Sequence, residues 1–397
     1  MSKSPAETHV VIVGGGLAGS LMAVYLGQRG YRVSVYERRG DIRGAEIVRG
    51  RSINLAISTR GLHALSKVGL EERVLDTCVP MTGRLMHAVD GETTYQPYGT
   101  EDSQAIHSVS RGGLNKLLLT EASELDGVEL YFHERCTDVD FDAPSITFEN
   151  SETGEISVVD CDIVIGSDGA FSAVRGQCQR RDRFDYSQSY LEHGYKELHI
   201  PPVEGGGFRL EKNRLHIWPR RSSMMIALPN EDGSFTGTLF WPLEGERSFA
   251  SLTNEAEVKA FFERWYGDVV PHMPTYVEDY LNAPASSLVT VRCYPYSHEG
   301  RVTLLGDACH AIVPFYGQGM NAAFEDCEVL ADCIDEFSGD WPKILDVYQE
   351  RRKKNVDALA DLAIDNFLEM RDRVASPKTG VEPAPLKPAA GNAQLNY

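Results

Sequence analysis

The chain has 397 residues, 42% hydrophobic and 24% charged, a globular balance that excludes a mostly disordered chain and suits two domains or one with large insertions. Lys and Arg total 39 against 58 Asp and Glu, a formal net charge of −19, which argues against a nucleic-acid or anionic-membrane surface. No run approaches the ~18–20 apolar residues of a membrane helix, and the opening MSKSPAETH lacks the apolar stretch of a signal peptide, so a cytoplasmic location is expected. The eight cysteines form no CxxC pair and are expected as reduced thiols. Cys309 with His310 and Cys327 with Cys333 come nearest to metal spacing, and no metal is expected.

Residues 9–13, HVVIV, suit a buried parallel strand. GGGLAG follows, with Gly14, Gly16 and Gly19 in GxGxxG spacing and Leu17 and Ala18 inside the fingerprint. A helical stretch, SLMAVYLGQRG, leads to a second strand, YRVSVYE, ending in Glu37. Gly14 permits the tight turn, Gly16 lets a pyrophosphate approach the backbone, and Gly19 lets helix pack on strand. The helix N-terminus faces the phosphates, and Glu37 stands where a carboxylate accepts hydrogen bonds from a ribose. Strand, glycines, helix, strand and acid in this order predict a dinucleotide site, without choosing between NAD and FAD.

Two further segments resemble each other. CDIVIGSDGAFSAVR (161–175) runs an apolar strand into Asp168, then a helix start at Ser172. VTLLGDACH (302–310) runs another into Gly306 and Asp307, with a long helix from about Gly319. Ligands bind at the carboxyl ends of strands in doubly wound sheets. Taken singly, a strand-ending aspartate also occurs in α/β proteins without flavin. The three segments together resemble the single-component flavoprotein monooxygenases, the aromatic hydroxylases, over roughly residues 8–340. That resemblance implies FAD held by all three segments and NADPH bound transiently, since no second glycine fingerprint is present. Flavin halogenases share parts of the pattern, but Trp218, Trp241, Trp265 and Trp341 stand too far apart to form their tryptophan-rich segment.

Longer stretches narrow the resemblance. GRSINLAISTRGLHAL (50–65), PMTGRLMH (80–87), YQPYG (95–99), SVSRGGLNKLLL (108–119), LHIWPR (215–220), MIALPNEDGSFTGTLFWP (225–242), VPFYGQGMNAAFEDC (313–327) and NFLEMRD (366–372) are together similar to the kynurenine 3-monooxygenase family. The resemblance implies conversion of L-kynurenine to 3-hydroxy-L-kynurenine with NADPH and O2, through a flavin C4a-hydroperoxide, in tryptophan degradation. It implies that Arg84 and Tyr98 hold the substrate carboxylate, with Asn366 at that polar end and Met370 beside it. Ile226, Thr238 and Phe240 would cover the aromatic ring, with Leu215 nearby, and Pro314, Phe315 and Tyr316 would form the wall near the flavin, with Gln318 beside them. For FAD it implies Arg38, Arg39, Ala56, Arg111, Cys136, Gly319, Met320 and Asn321 in addition to the fingerprint residues, Glu37, Asp168, Gly306 and Asp307. Read alone, Arg84 is more readily a surface charge, Tyr98 more readily a turn aromatic, and the alternating Ile226, Thr238 and Phe240 one packed face of paired strands, which is compatible with lining a pocket. His63, His107 and His310 are given no catalytic role. A hydroxylase for a related aryl amino acid in secondary metabolism, and a flavin-binding relative that does not hydroxylate, remain the alternatives.

The expected architecture is α/β: a Rossmann-like FAD-binding domain from 1–80, 100–180 and 290–335, a β-sheet substrate domain from 81–99 and 181–289, and a C-terminal helical segment, 336–374. Strands are expected in YKELHI, GFRL, LHIWP, SMMIAL and FTGTLFW, and helices over 254–267, 319–337 and 341–374. Residues 375–397, rich in Pro, Ala, Gly and Asn, read as a flexible tail, where members of the family continue with further helices over the pocket. A monomer or homodimer is expected.

Overall fold

A strand that is apolar on both faces needs cover on both sides, and HVVIV has it. In the computed structural model, which describes residues 3–44, 54–101 and 104–372, Val10–Val13 are fully or almost fully buried. His9–Val13 lies inside a six-stranded sheet whose spatial order is Ser297–His298, Val302–Leu304, Ile163–Gly166, His9–Val13, Arg32–Glu37, Val128–Phe132. Every neighbouring pair is parallel except the first. The helix Leu17–Gln28 packs against the helices Arg111–Ser123 and Gly319–Phe337. Sheet and helices thus enclose one core whose buried apolar side chains run from Val10 to Val356.

A second sheet has seven strands in the order Ser286–Tyr294, Asp185–Ile200, Phe235–Pro242, Ser223–Pro229, Leu215–Arg220, Gly83–His87, Thr93–Pro97. Its one parallel pair joins Leu215–Arg220 to Gly83–His87. Alternation divides its residues between two environments. Trp218, Met225, Ala227, Leu239 and Trp241 point into a core capped by Val258 and Phe262 of the helix Glu255–Trp265. Met224, Ile226 and Phe240 point the other way, towards Phe315 and Phe367. The strand Ser286–Tyr294 crosses the expected boundary at 289/290, because it pairs with Asp185–Ile200 on both sides of that point, with a register shift between Tyr190 and Gly194.

Two smaller three-stranded sheets, one of Asn54–Ile57, Ile106–Ser110 and Val79–Met81 and one of Glu134–Asp140, Ser145–Asn150 and Ile156–Asp160, complete the strands. The helices expected over 254–267, 319–337 and 341–374 run as Glu255–Trp265, Gly319–Phe337 and Trp341–Asp372. GFRL is not a strand. Gly205, Gly206 and Gly207 all take positive φ, Pro201 and Pro202 lack ladder donors, and Arg209 donates from Nε to the Pro201 carbonyl at 2.9 Å, so the segment folds back as a turn. The expected tail, 375–397, lies outside the described residues.

Candidate active site

The glycine fingerprint works by close approach. A Cβ on Gly19 would lie 2.0 Å from the Gly14 carbonyl oxygen, whereas one on Gly16 would meet nothing within 4 Å. Gly19 is therefore needed for packing, and Gly16 leaves open space at the start of Leu17–Gln28. Around the turn, Ser167 Oγ donates to the Gly14 carbonyl at 2.9 Å and Asn115 Nδ2 to the Gly15 carbonyl at 3.0 Å. Glu37 receives the Gly15 N–H at 2.9 Å and Arg39 Nε at 2.7 Å. Burial pushes the Glu37 carboxyl up, but the Arg39 guanidinium and the two backbone N–H groups outweigh it and hold it below the usual carboxylate range. Arg38 is exposed beside it.

Gly306 closes the cleft from the other side. Its φ of 63° with ψ of −140° is backbone that glycine alone adopts without strain. A Cβ there would press on the Cβ atoms of both Ala18 and Ala323, 3.2 Å from each. The turn is thus wedged between the first turns of Leu17–Gln28 and Gly319–Phe337. Neither helix has a side-chain N-cap or an acidic residue in its first turn, so both leave N–H groups and a positive dipole end for an anionic or electron-rich ligand. Asp307 is open to the cleft but crowded by protein. Burial raises its carboxyl, His310 and Arg111 draw it back, and Asp326 adds to the rise.

Asn321 stitches the next edge. It donates from Nδ2 to the Ala56 and Gly317 carbonyls at 3.0 Å and accepts the Ser58 N–H at 3.0 Å. Gly319 and Met320 lie half-buried in the same helical turn. The open space at Gly16, the two helix ends, Asp307 and the exposed Arg111 fit a dinucleotide carrying a flavin. Two expected contacts look different in the structure. The Cys136 thiol packs in the core, pushed up to about 12 by burial, so only its main chain is left for a cofactor. The Asp168 carboxylate accepts Ser172 Oγ at 2.5 Å and the Ala173 N–H at 2.6 Å, capping the helix Ala173–Cys178.

Sequence reasoning missed the support beneath this turn. Buried Asp326 accepts the Gly306 N–H at 2.9 Å, pairs with His310 Nε2 at 2.5 Å and takes Arg352 Nε at 2.6 Å. Burial opposes its charge, yet His310 and Arg352 keep the carboxyl below its ordinary range. Cys309, His310 and Asp326 could group around a metal, but Arg352 already supplies the balancing cation. Arg175 adds a brace, donating to the Ala308 and Ala170 carbonyls at 2.8 and 2.7 Å.

The second sheet brings the expected substrate residues onto one face. The registers Arg84↔Leu215, Ile217↔Ile226 and Ile226↔Thr238 put Arg84, Leu215, Ile226, Thr238 and Phe240 on the same side. The Phe240 ring lies 5.0 Å from that of Phe315, which lies 4.5 Å from that of Phe367. Phe315 belongs to the short 3-10 turn Pro314–Tyr316, followed by Gln318 at the N-cap of Gly319–Phe337. Asn366 donates from Nδ2 to the Phe315 carbonyl, so it ties the long helix to this wall. Met370 lies in that helix's last turns, where only the backbone is described.

At the far edge, Arg84 Cζ sits 5.5 Å from the Tyr98 ring centre. Among the described residues, buried Arg84 Nε and the buried Tyr98 hydroxyl have no hydrogen-bond partner. Two unpaired buried donors are costly, and an incoming carboxylate would satisfy both. Burial pushes the Tyr98 phenol up, with Arg84 pulling it partly back, so it stays a hydroxyl donor.

A family model described as an FAD binding domain matches residues 7–363. The chain is 48% identical over 378 residues to a kynurenine 3-monooxygenase of Myxococcus xanthus, covering 95% of this chain and 81% of the relative. It is 47% identical over 377 residues to one of Dictyostelium discoideum, covering 92% and 81%. Among solved structures it is similar in fold to 2-methyl-3-hydroxypyridine-5-carboxylic acid oxygenase, with TM-score 0.74, 19% identity and coverage of 93% and 94%. It is also similar to Pseudomonas aeruginosa PqsL in complex with 2-aminobenzoylacetate, with TM-score 0.74, 22% identity and coverage of 93% and 98%.

Proposed function

The chain belongs to the kynurenine 3-monooxygenase family, and from that premise we propose that it is an FAD-dependent monooxygenase converting L-kynurenine, NADPH, a proton and O2 into 3-hydroxy-L-kynurenine, NADP+ and water. The observation that carries the substrate reading is the pair of unpartnered buried donors, Arg84 Nε and Tyr98 OH, at one edge of the face that carries Ile226, Thr238 and Phe240.

FAD, when bound, supplies electron transfer from NADPH and the activation of O2. The chain's own residues bind, orient and keep dry. Arg84 and Tyr98 take the amino-acid carboxylate, the guanidinium by charge-assisted hydrogen bonds and the phenol by a second donor. Ile226, Thr238 and Phe240 underlie the aromatic ring, and Phe315 and Tyr316 cover it. Fixing the carboxylate at one end and the ring at the other presents the carbon ortho to the arylamine for oxygen transfer. The arylamine already enriches that carbon in electrons, so no protein nucleophile is required. The Phe240–Phe315–Phe367 wall excludes water. Asn366 holds Phe315 in place through its carbonyl, and the Asp326 ion-pair cluster holds the Gly306–Asp307 turn that faces the cofactor.

The test is flavin reduction by NADPH in rapid mixing, with and without L-kynurenine, followed by product identification. Faster reduction with kynurenine and a 3-hydroxykynurenine product is the expected result. Absence of both would overturn the reading.

A further inference from the structure

The central strand of the second sheet carries a carboxylate on the side that faces the proposed substrate. Glu197 pairs with Thr238, and Tyr195, two residues before it, pairs with Phe240. The Tyr195 and Phe240 rings lie 6.2 Å apart, which fixes this side of the strand as the one facing Phe315. The alternate residues turn away: Leu198 is in the helix-covered core, and Lys196 Nζ donates to the Tyr280 and Ala283 carbonyls at 2.7 and 2.6 Å. Glu197 is half-buried and, among the described residues, has neither a hydrogen-bond nor an ion-pair partner. Burial raises its carboxyl and Arg111 in the neighbouring cleft lowers it. A half-buried carboxylate with no protein donor, on the face that carries Ile226, Thr238 and Phe240, is a hydrogen-bond acceptor left open to a ligand.

We propose that Glu197 is a specificity-determining residue that accepts a hydrogen bond from the substrate's arylamine; this deepens the kynurenine reading and rests on it. Arg84 and Glu197 are four strand steps apart, about 19 Å between backbones at ~4.8 Å a step. Both project from the same face of the sheet, and the strands between them leave room for an amino acid with its carboxylate at Arg84 and its ring over Ile226 and Thr238. Kynurenine's arylamine carries an N–H beyond the one directed at its own ketone. A site built to pair that N–H rejects a ring lacking it, because the acceptor is then left unpaired and partly desolvated. An anionic acceptor also pushes electron density into the ring at the carbon to be hydroxylated.

The experiment measures equilibrium binding to the FAD-loaded enzyme from the change in flavin absorbance, using L-kynurenine and its desamino analogue, 2-amino-4-oxo-4-phenylbutanoate. The native chain is expected to prefer kynurenine by about tenfold or more. Glu197→Met, which removes the acceptor, should bring the two dissociation constants together by weakening kynurenine alone. Glu197→Gln, which keeps a neutral acceptor, should restore part of the preference, and it carries the test by itself should the Met variant fail to fold. Unchanged discrimination in the variants would overturn the role of Glu197 and leave the kynurenine reading standing. So would a loss confined to FAD affinity, which would assign Glu197 to Arg111 and the cofactor. A native enzyme that binds neither compound would overturn both.

Discussion

Arg352 donates from Nε to Asp326 Oδ1 at 2.6 Å, with both side chains closed to solvent. The contact joins two helices, and through the Gly306 N–H on the other Asp326 oxygen it reaches the turn that faces the cofactor cleft. The helix that brings Arg352 also brings Asn366, which holds the Phe315 carbonyl. One helix therefore braces both the Gly306 turn and the Phe315 wall, the proposed cofactor and substrate sides of the site.

Removing one partner of such a pair leaves the other charge buried. Arg352→Met should destabilise the protein by about 3–5 kcal/mol and weaken FAD binding. Chemical denaturation of the apoprotein gives the first quantity and FAD titration the second. A stability change below about 1 kcal/mol would mean that His310 alone balances Asp326.

The two fingerprint glycines should respond in opposite ways to the same added methyl group. Gly19→Ala places it 2.0 Å from a backbone oxygen, so the variant should fold poorly with or without cofactor. Gly16→Ala meets no protein atom at an ordinary φ of −74°. It should keep the unfolding midpoint of the apoprotein while FAD affinity falls at least tenfold, about 1.4 kcal/mol. Unfolding curves and FAD fluorescence titrations of both variants check the pair.

Arg84→Met should weaken kynurenine binding by about 2 kcal/mol or more, the size expected when a desolvated carboxylate clamp is broken. Tyr98→Phe should cost about 1 kcal/mol, one neutral hydrogen bond. FAD titrations should be unaffected by either, because both residues sit at the sheet edge away from the Gly306 turn. Equal kynurenine affinity in Arg84→Met would remove Arg84 from the site.

The parts of the site readable in advance are those where geometry forces a residue type within a short stretch. Gly14 and Gly19 belong to this class, since a Cβ on either would lie under 3 Å from backbone atoms. That Arg84 and Tyr98 lie together was to be expected only from the family resemblance of their surrounding stretches, since an arginine on a strand has no signature of its own. Glu197 shows the opposite case. Alternation along Tyr195, Lys196, Glu197 and Leu198 separates two faces, but which face is covered depends on Glu255–Trp265, some 60 residues later. Asp326 and Arg352 are invisible for the same reason: each is an ordinary charge on a helix until Gly319–Phe337 and Trp341–Asp372 pack together. GFRL failed because the preceding glycines and prolines outweigh the β-propensity of Phe208 and Leu210.

Glu37 makes the cofactor side sensitive to acid. Its folded pKa lies below the ordinary 4.5 because the Arg39 guanidinium and the Arg39 and Gly15 N–H groups outweigh burial. A depressed carboxylate contributes stability that is fully present above its unfolded value and is lost as pH falls through the folded one. Glu37→Gln abolishes this titration while keeping an amide oxygen for the Gly15 N–H. The variant should be less stable than the native chain at pH 7, and the difference should shrink steadily below pH 4.5 as the native carboxylate takes up its proton. Parallel denaturation curves from pH 7 to pH 3 measure the gap. A gap that stays constant over that range would mean that the Glu37 charge adds nothing beyond the hydrogen bonds its shape provides.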